Sequence, residues 1–162
     1  MSRGRVDVRQ LKRLRDDIAR LEAGQWKQGA EGIAQECGKR LLRKVKKRTP
    51  VGVVPDGISE ETKETCWGGY TGGTLRDKWE IAPFTWDGDC VVLTILNNAE
   101  YASYVEYGHR QAARRYVPAI EKRLKRSWVP GRFMLKKSVE EMEGQLPAIA
   151  QKELDKILKE VF

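Results

Sequence analysis

From Val8 to Ala23, apolar residues recur at intervals of three and four (Leu11, Leu14, Ile18, Leu21), with Lys12, Arg13, Arg15, Asp16 and Asp17 between them. Side chains at those intervals share one face of a helix, so the spacing predicts an amphipathic helix. Gly24 punctuates it. A second helical pattern runs through Ala30, Ile33, Ala34, Cys37, Leu41, Leu42 and Val45. It stops at Thr49-Pro50, because proline disfavours helical geometry in the residue before it. Its end carries Lys39, Arg40, Arg43, Lys44, Lys46, Lys47 and Arg48. Cations there complement the negative end of the helix dipole, which gives part of this run a local explanation.

Residues 50–72 hold two prolines and five glycines without a sustained period and read as a loop. The period then changes to two. Over Thr74 to Ile81, Leu75, Trp79 and Ile81 fall on one face of a strand, and Arg76, Lys78 and Glu80 on the other. Val91 to Leu96 is a continuous aliphatic run, expected as a more central strand buried on both faces. Asp87-Gly88-Asp89 between them supplies turn chemistry for an antiparallel hairpin. Tyr101, Ala102, Tyr104, Val105 and Tyr107 form a short aromatic segment that fits either a third strand or one helical turn. Residues 109–130 are basic and proline-bounded, with a short helix expected around Ala119 to Lys125. The last pattern, from Leu135 through Val139, Met142, Leu146, Ile149, Leu154, Ile157 and Leu158 to Val161, is helical, with a kink or break expected near Gly144 because of Pro147.

The expected architecture is one α+β domain over residues 1–162: an N-terminal helical arm (1–29), a helix (30–48), a loop (50–72), a sheet region (73–108), a basic loop (109–130) and a C-terminal helix (131–162). The small antiparallel sheet is built on the hairpin, and the long C-terminal helix packs on it. A chain of 162 residues suits this, since a domain of that length buries roughly two thirds of its unfolded surface and leaves little room for a second domain. No apolar run approaches a membrane span of roughly 18 residues, and the first residues lack the apolar core of a signal peptide, so the expected address is the cytoplasm, with no membrane partner. Cys37, Cys66 and Cys90 are widely spaced, odd in number and without a CxxC pair; they are expected as reduced, mostly buried thiols.

Charge changes this picture more than composition does. The net value of +8 conceals blocks of +9 (1–48), −7 (49–108), +9 (109–137) and −3 (138–162). Such alternation suits a nucleic-acid footprint, or complementary surfaces that meet between copies of one protein. Candidate chemistry is sparse. His109 is the single histidine, which leaves no second histidine for a metal site and no Ser-His or Cys-His couple with a choice of bases. Glu60, Glu61 and Glu64 lie in a Gly-rich stretch without aromatic or histidine company, and the glycines of residues 68–73 lack the GK[ST] ending of a phosphate loop. Neither catalytic residues, metal nor cofactor are expected. Arg114, Arg115, Lys122, Arg123, Lys125 and Arg126, interleaved with Tyr116 and Trp128, have the residue types for phosphate neutralisation and base stacking, so a basic nucleic-acid-binding module stands as the alternative reading.

An ordered set of segments carries a resemblance: KKRTPVG at the end of the basic helix, TGGTLRDKW, an apolar strand ending in Asn97-Asn98, AEYASYVEYGHR, and VPGRFMLKKSVEEM. Over roughly residues 30–160 this resembles the phage tail-component family of lambdoid gene-ten-product-like neck and tail-completion proteins. Thr49, Pro50 and Val51 match its TPV step; Thr71, Gly72, Leu75, Arg76 and Trp79 match its TG-x-L-R-x-x-W segment. Asn98, Tyr101, Ala102, Tyr104, Val105, Glu106 and Gly108 match the segment after the strand. Some twenty residues separate the TPV step from Thr71 where the family pattern is nearly continuous. His109 stands where a threonine is often found, and the VEYGHR and VPGRFML wording is similar to the PBSX-type contractile prophage branch. The resemblance implies a structural protein of the tail or neck rather than an enzyme, assembled in the host cytoplasm into a hexameric ring at the head-proximal end of the tail. Its implied partners are the tail tube protein, neighbouring neck or connector proteins, and transiently DNA in the channel. Residues assigned to the subunit or neck interface are Arg76, Trp79, Tyr101, Tyr104, Glu106, Tyr107, His109, Arg114, Arg115, Arg123, Arg126 and Trp128.

Overall fold

The computed structural model describes Asp16, Ala19, Gly24, residues 26–88 and residues 90–161; most of the helix expected over Val8–Ala23 lies outside the described residues. The axis of the fold is α1 (Trp26–Arg48), whose Ala34, Cys37, Leu41 and Val45 are buried along one stripe. Two C-terminal helices, α5 (Met134–Glu143) and α6 (Leu146–Val161), pack on α1. They are separated at Gly144-Gln145, where a break was expected. Pro147 occupies the first turn of α6, where a missing N–H costs no helical hydrogen bond. Against another side of α1 lies a long β-ribbon, so that Leu75, Trp79, Met134, Met142 and Ile149 share one core with Cys37, Leu41 and Val45. The α+β class is as expected, and the strands form four antiparallel two-stranded ladders.

Several local expectations are corrected. The stretch 50–72 contains a helix, α2 (Glu60–Trp67), begun by Ser59, whose Oγ accepts the Thr62 N–H at 3.2 Å. Its glycines and prolines flank the helix rather than interrupt it. Thr74–Asp77 is one helical turn, α3, and only Trp79–Ile81 is strand, β1. Leu75 and Trp79 are four apart, a spacing that suits a helix face as well as a strand face.

The hairpin over Asp87-Gly88 is present, but in two pieces. β1 pairs with β4 (Ile95–Asn97) and β2 (Thr85–Asp87) with β3 (Cys90–Val92). Between the pieces, residues 82–84 oppose residues 93–94, and Pro83 has no N–H to give the ladder. Val91–Leu96 is therefore not a central strand buried on both faces. Val91, Leu93 and Ile95 are half-buried while Val92 and Thr94 are exposed.

The aromatic segment is helical, α4 (Ala102–Tyr107), and does not join a sheet. The basic loop is a second ribbon: β5 (Gly108–Arg110) pairs with β8 (Trp128–Pro130), and β6 (Tyr116–Val117) with β7 (Lys122–Arg123). In place of the helix expected over 119–125, the tip is a 3-10 turn at Pro118–Ile120. Cys37 is buried, but Cys66 and Cys90 are exposed, contrary to expectation, and all three are free thiols.

Candidate functional site

The segments that carried the resemblance converge on an internal knot. Thr49 is almost wholly buried, and its Oγ1 donates to the Val45 carbonyl at 2.8 Å. The Trp79 indole N–H donates to that same Oγ1 at 2.8 Å, and Arg76 donates to the Thr49 carbonyl at 2.8 Å. The end of α1 is thereby tied to the start of the first ribbon. At the other end of that ribbon, Asn97 donates to the Leu75 carbonyl at 2.7 Å and accepts the Ala99 N–H at 2.9 Å.

Glu106 continues the pattern. Its buried carboxylate accepts the backbone N–H groups of Leu135 and Lys136 at 3.1 and 3.0 Å. These belong to the unpaired donors at the start of α5, where the helix dipole also favours an anion. Gly108 follows at φ 86°, and a Cβ there would lie 2.4 Å from the Val129 carbonyl oxygen, so the root of the second ribbon needs glycine.

These contacts redraw the expected interface. Trp79, 5% exposed, and Glu106 are used inside the protomer and withdrawn as interface residues. Arg76 is half-buried on Thr49. The other nine residues separate into two exposed or half-exposed groups. Tyr101, Tyr104 and Tyr107 on or beside α4 are exposed, Tyr107 to 62%, and the Tyr104 and His109 rings meet at 5.7 Å. Trp128, also exposed, pairs across the ribbon with Arg110. Beyond them lies the arm, residues 108–130, with Arg114, Arg115, Arg123 and Arg126 all exposed.

The arm is tied down at its tip. Glu121, its one acidic residue, accepts hydrogen bonds from the Ser59 hydroxyl, the Thr62 hydroxyl and the Ser59 N–H, and these hold its carboxyl below the usual range. The Trp67 indole N–H donates to the Ala119 carbonyl at 2.6 Å, and Lys122 to the Asp56 carbonyl at 2.9 Å. Among the described residues, the three non-glycine residues at positive φ are Arg114, Glu121 and Phe133, all in the arm or just past its root. A single acid within a basic block was the available sequence signal for this clip. Its partners Ser59 and Thr62 lay in the stretch read as a loop.

Seven cations stand on the arm (Arg110, Arg114, Arg115, Lys122, Arg123, Lys125 and Arg126), and none forms an ion pair among the described residues. The basic end of α1 differs. Lys44 and Arg48 both pair with Glu141 of α5, and Arg48 also donates to the Ser138 hydroxyl at 2.9 Å. The hydrogen bonds from Lys44 and then Arg48 pull the Glu141 carboxyl from 4.5 down to about 2. Part of that basic run therefore fastens helices together.

Exposed acids complete the electrostatic surface: Asp56, Glu60, Glu61 and Glu64 on and before α2, Asp77 and Glu80 around β1, and Asp87 at the ribbon turn. Among the described residues, no group of three or more His, Cys, Asp or Glu side chains gathers as a metal site would require, and no helix is long and apolar enough to cross a membrane.

No curated protein and no solved structure matches the chain. Residues 8–108 match the family model described as "Bacteriophage HK97-gp10, putative tail-component". That span runs from the N-terminal segment through the Thr49–Trp79 knot to Gly108, and on this match the chain belongs to the HK97-gp10 family of phage tail components, structural proteins of the virion tail.

Proposed function

We propose that the protein is a tail-completion or tail-terminator component, assembling as a ring at the head-proximal end of the tail, where it joins tail tube and neck. The observation that carries this reading is the unpaired arm. Seven cations are held on a ribbon anchored at root and tip, while the same protomer exposes a run of acids between Asp56 and Asp87. In a closed ring each copy presents one patch to a different patch on the next. A rigid basic arm and an acidic α2 and first ribbon supply two unlike patches. The exposed tyrosines of α4 and Trp128 lie at the arm's root, and aromatic side chains beside arginine are the residue types that anchor protein contacts. Open ribbon edges add main-chain groups for a neighbour's strand.

Electron microscopy of the purified protein, alone and with tail tubes, tests the reading. Rings, or tubes capped at one end, are expected; monomers that leave tube ends bare would overturn it. Binding of duplex DNA that weakens steeply with salt, without rings, would instead favour the nucleic-acid module.

A further inference from the structure

A groove of about 270 Å³ opens between α1, the β3 side of the first ribbon and the α5–α6 corner. Ile33, Cys37 and Leu41 line it from α1, Val91 and Leu93 from the ribbon, and Met142 from α5. Its lining is almost wholly apolar, with Glu143 among the lining residues. A continuous apolar surface of this kind favours an occupant that removes it from water.

The chain before α1 has matching chemistry. Leu11, Leu14, Ile18 and Leu21 form one helical stripe. Leu11 to Leu21 spans about 15 Å at a helical rise of about 1.5 Å per residue, and the groove floor from Ile33 to Leu41 spans about 12 Å by the same measure. Arg9, Lys12 and Arg13 flank the stripe, and Glu140 and Glu143 are exposed on α5 beside the groove. An amphipathic helix laid in an apolar groove with opposite charge at its rim is a recurrent mode of recognition. The groove belonging to the segment's own chain is the less favoured host. Asp16, Ala19 and Gly24 are helical, so the chain keeps a helical course at Gly24 instead of turning back along α1.

We propose that the stripe Leu11, Leu14, Ile18 and Leu21 of one copy seats in the α1–ribbon–α5 groove of a neighbouring copy. The proposal rests on the self-association in the ring reading, and needs neither tail nor neck. Two differently tagged full-length chains test it, both carrying Cys66→Ser and Cys90→Ser, one with Leu14→Cys and the other with Val91→Cys. Under mild oxidation of the mixture, a disulfide between the two tagged chains is expected, and a Lys12→Cys control on the polar face should give none. A cross-link that forms only when both cysteines are on one chain would overturn the proposal, as would no cross-link in either arrangement. As an independent readout, Leu14→Asp should weaken self-association about 10- to 100-fold, the loss expected for one buried leucine; unchanged association would also overturn it. Rings that form without the cross-link would sink this inference and leave the tail reading standing. The cross-link without tail binding would do the reverse.

Discussion

The Thr49–Trp79–Glu106 knot and the arm adjoin at Tyr107-Gly108, yet they use their polar groups in opposite ways. In the knot, an indole, a guanidinium and a carboxylate are directed inward onto backbone and hydroxyl groups of the same protomer. In the arm, cations are held outward with no ion-pair partners among the described residues, and the polar contacts that exist fix the arm's own tip and backbone. The difference teaches that the residues by which this chain resembles its family are largely those that build the protomer. The surface that meets other molecules falls mostly outside them.

Substitutions sharpen that contrast, beginning with the largest effect on folding. Trp79→Ala should cost about 3–5 kcal/mol in chemical denaturation, because it empties core volume and removes the hydrogen bond to Thr49. Glu106→Gln should cost about 1.5–3 kcal/mol, since it discharges an anion at the start of α5 and sets an NH2 group against a backbone N–H. The arm should remain folded in that variant; loss of the ribbon signal in hydrogen exchange would blur the two regions into one unit.

The Glu141 pairs act more weakly and depend on acid. A carboxyl lowered from 4.5 to about 2 contributes stability that is fully present above 4.5 and is lost as pH falls toward 2. Wild type should therefore exceed Glu141→Gln in stability near neutrality and converge on it between those values, read by thermal melts across pH. A gap unchanged at pH 2 would count against the pairing.

The smallest effect on folding should come from reversing Arg114, Arg115, Arg123 and Arg126 to Glu. A shift within about 1 kcal/mol is expected for exposed side chains of this kind, together with loss of rings in electron microscopy. Intact rings would remove the arm from the assembly account.

Much of the knot was legible as motif and little of it as mechanism. The TPV step marked the end of α1 because proline forbids more helix, but nothing local announced that Trp79, thirty residues on, would donate to Thr49. Glu106 reads as surface acid in any short window. Only the return of the chain at Arg132 and Phe133, whose N–H groups donate to the Val105 and Glu106 carbonyls at 2.8 and 3.0 Å, brings α5 to its carboxylate. The arm was legible as charge and misread as a loop. Its strands are two or three residues long, below the length at which alternation stands out, and Pro118 suggested interruption where it marks the tip. α2 was hidden by the glycines around it, although Ser59 followed by Glu60 and Glu61 is a helix start.

The unequal count across the first ribbon, three residues facing two, sets the inside and outside of everything beyond it. In β1, Ile81 lies toward the core; because of the extra residue, Trp86 returns to that side, where its indole N–H reaches Glu31 at 3.2 Å and Lys27 lies over its ring. Removing any one of Ala82, Pro83 or Phe84 would exchange Trp86 for Thr85 and Asp87 and turn the ribbon's outer half inside out. The spacer between Val51 and Thr71 lengthens and shortens under no such parity rule. Relatives of this chain are therefore free to differ by single-residue insertions there, and barred from them a few residues after Ile81.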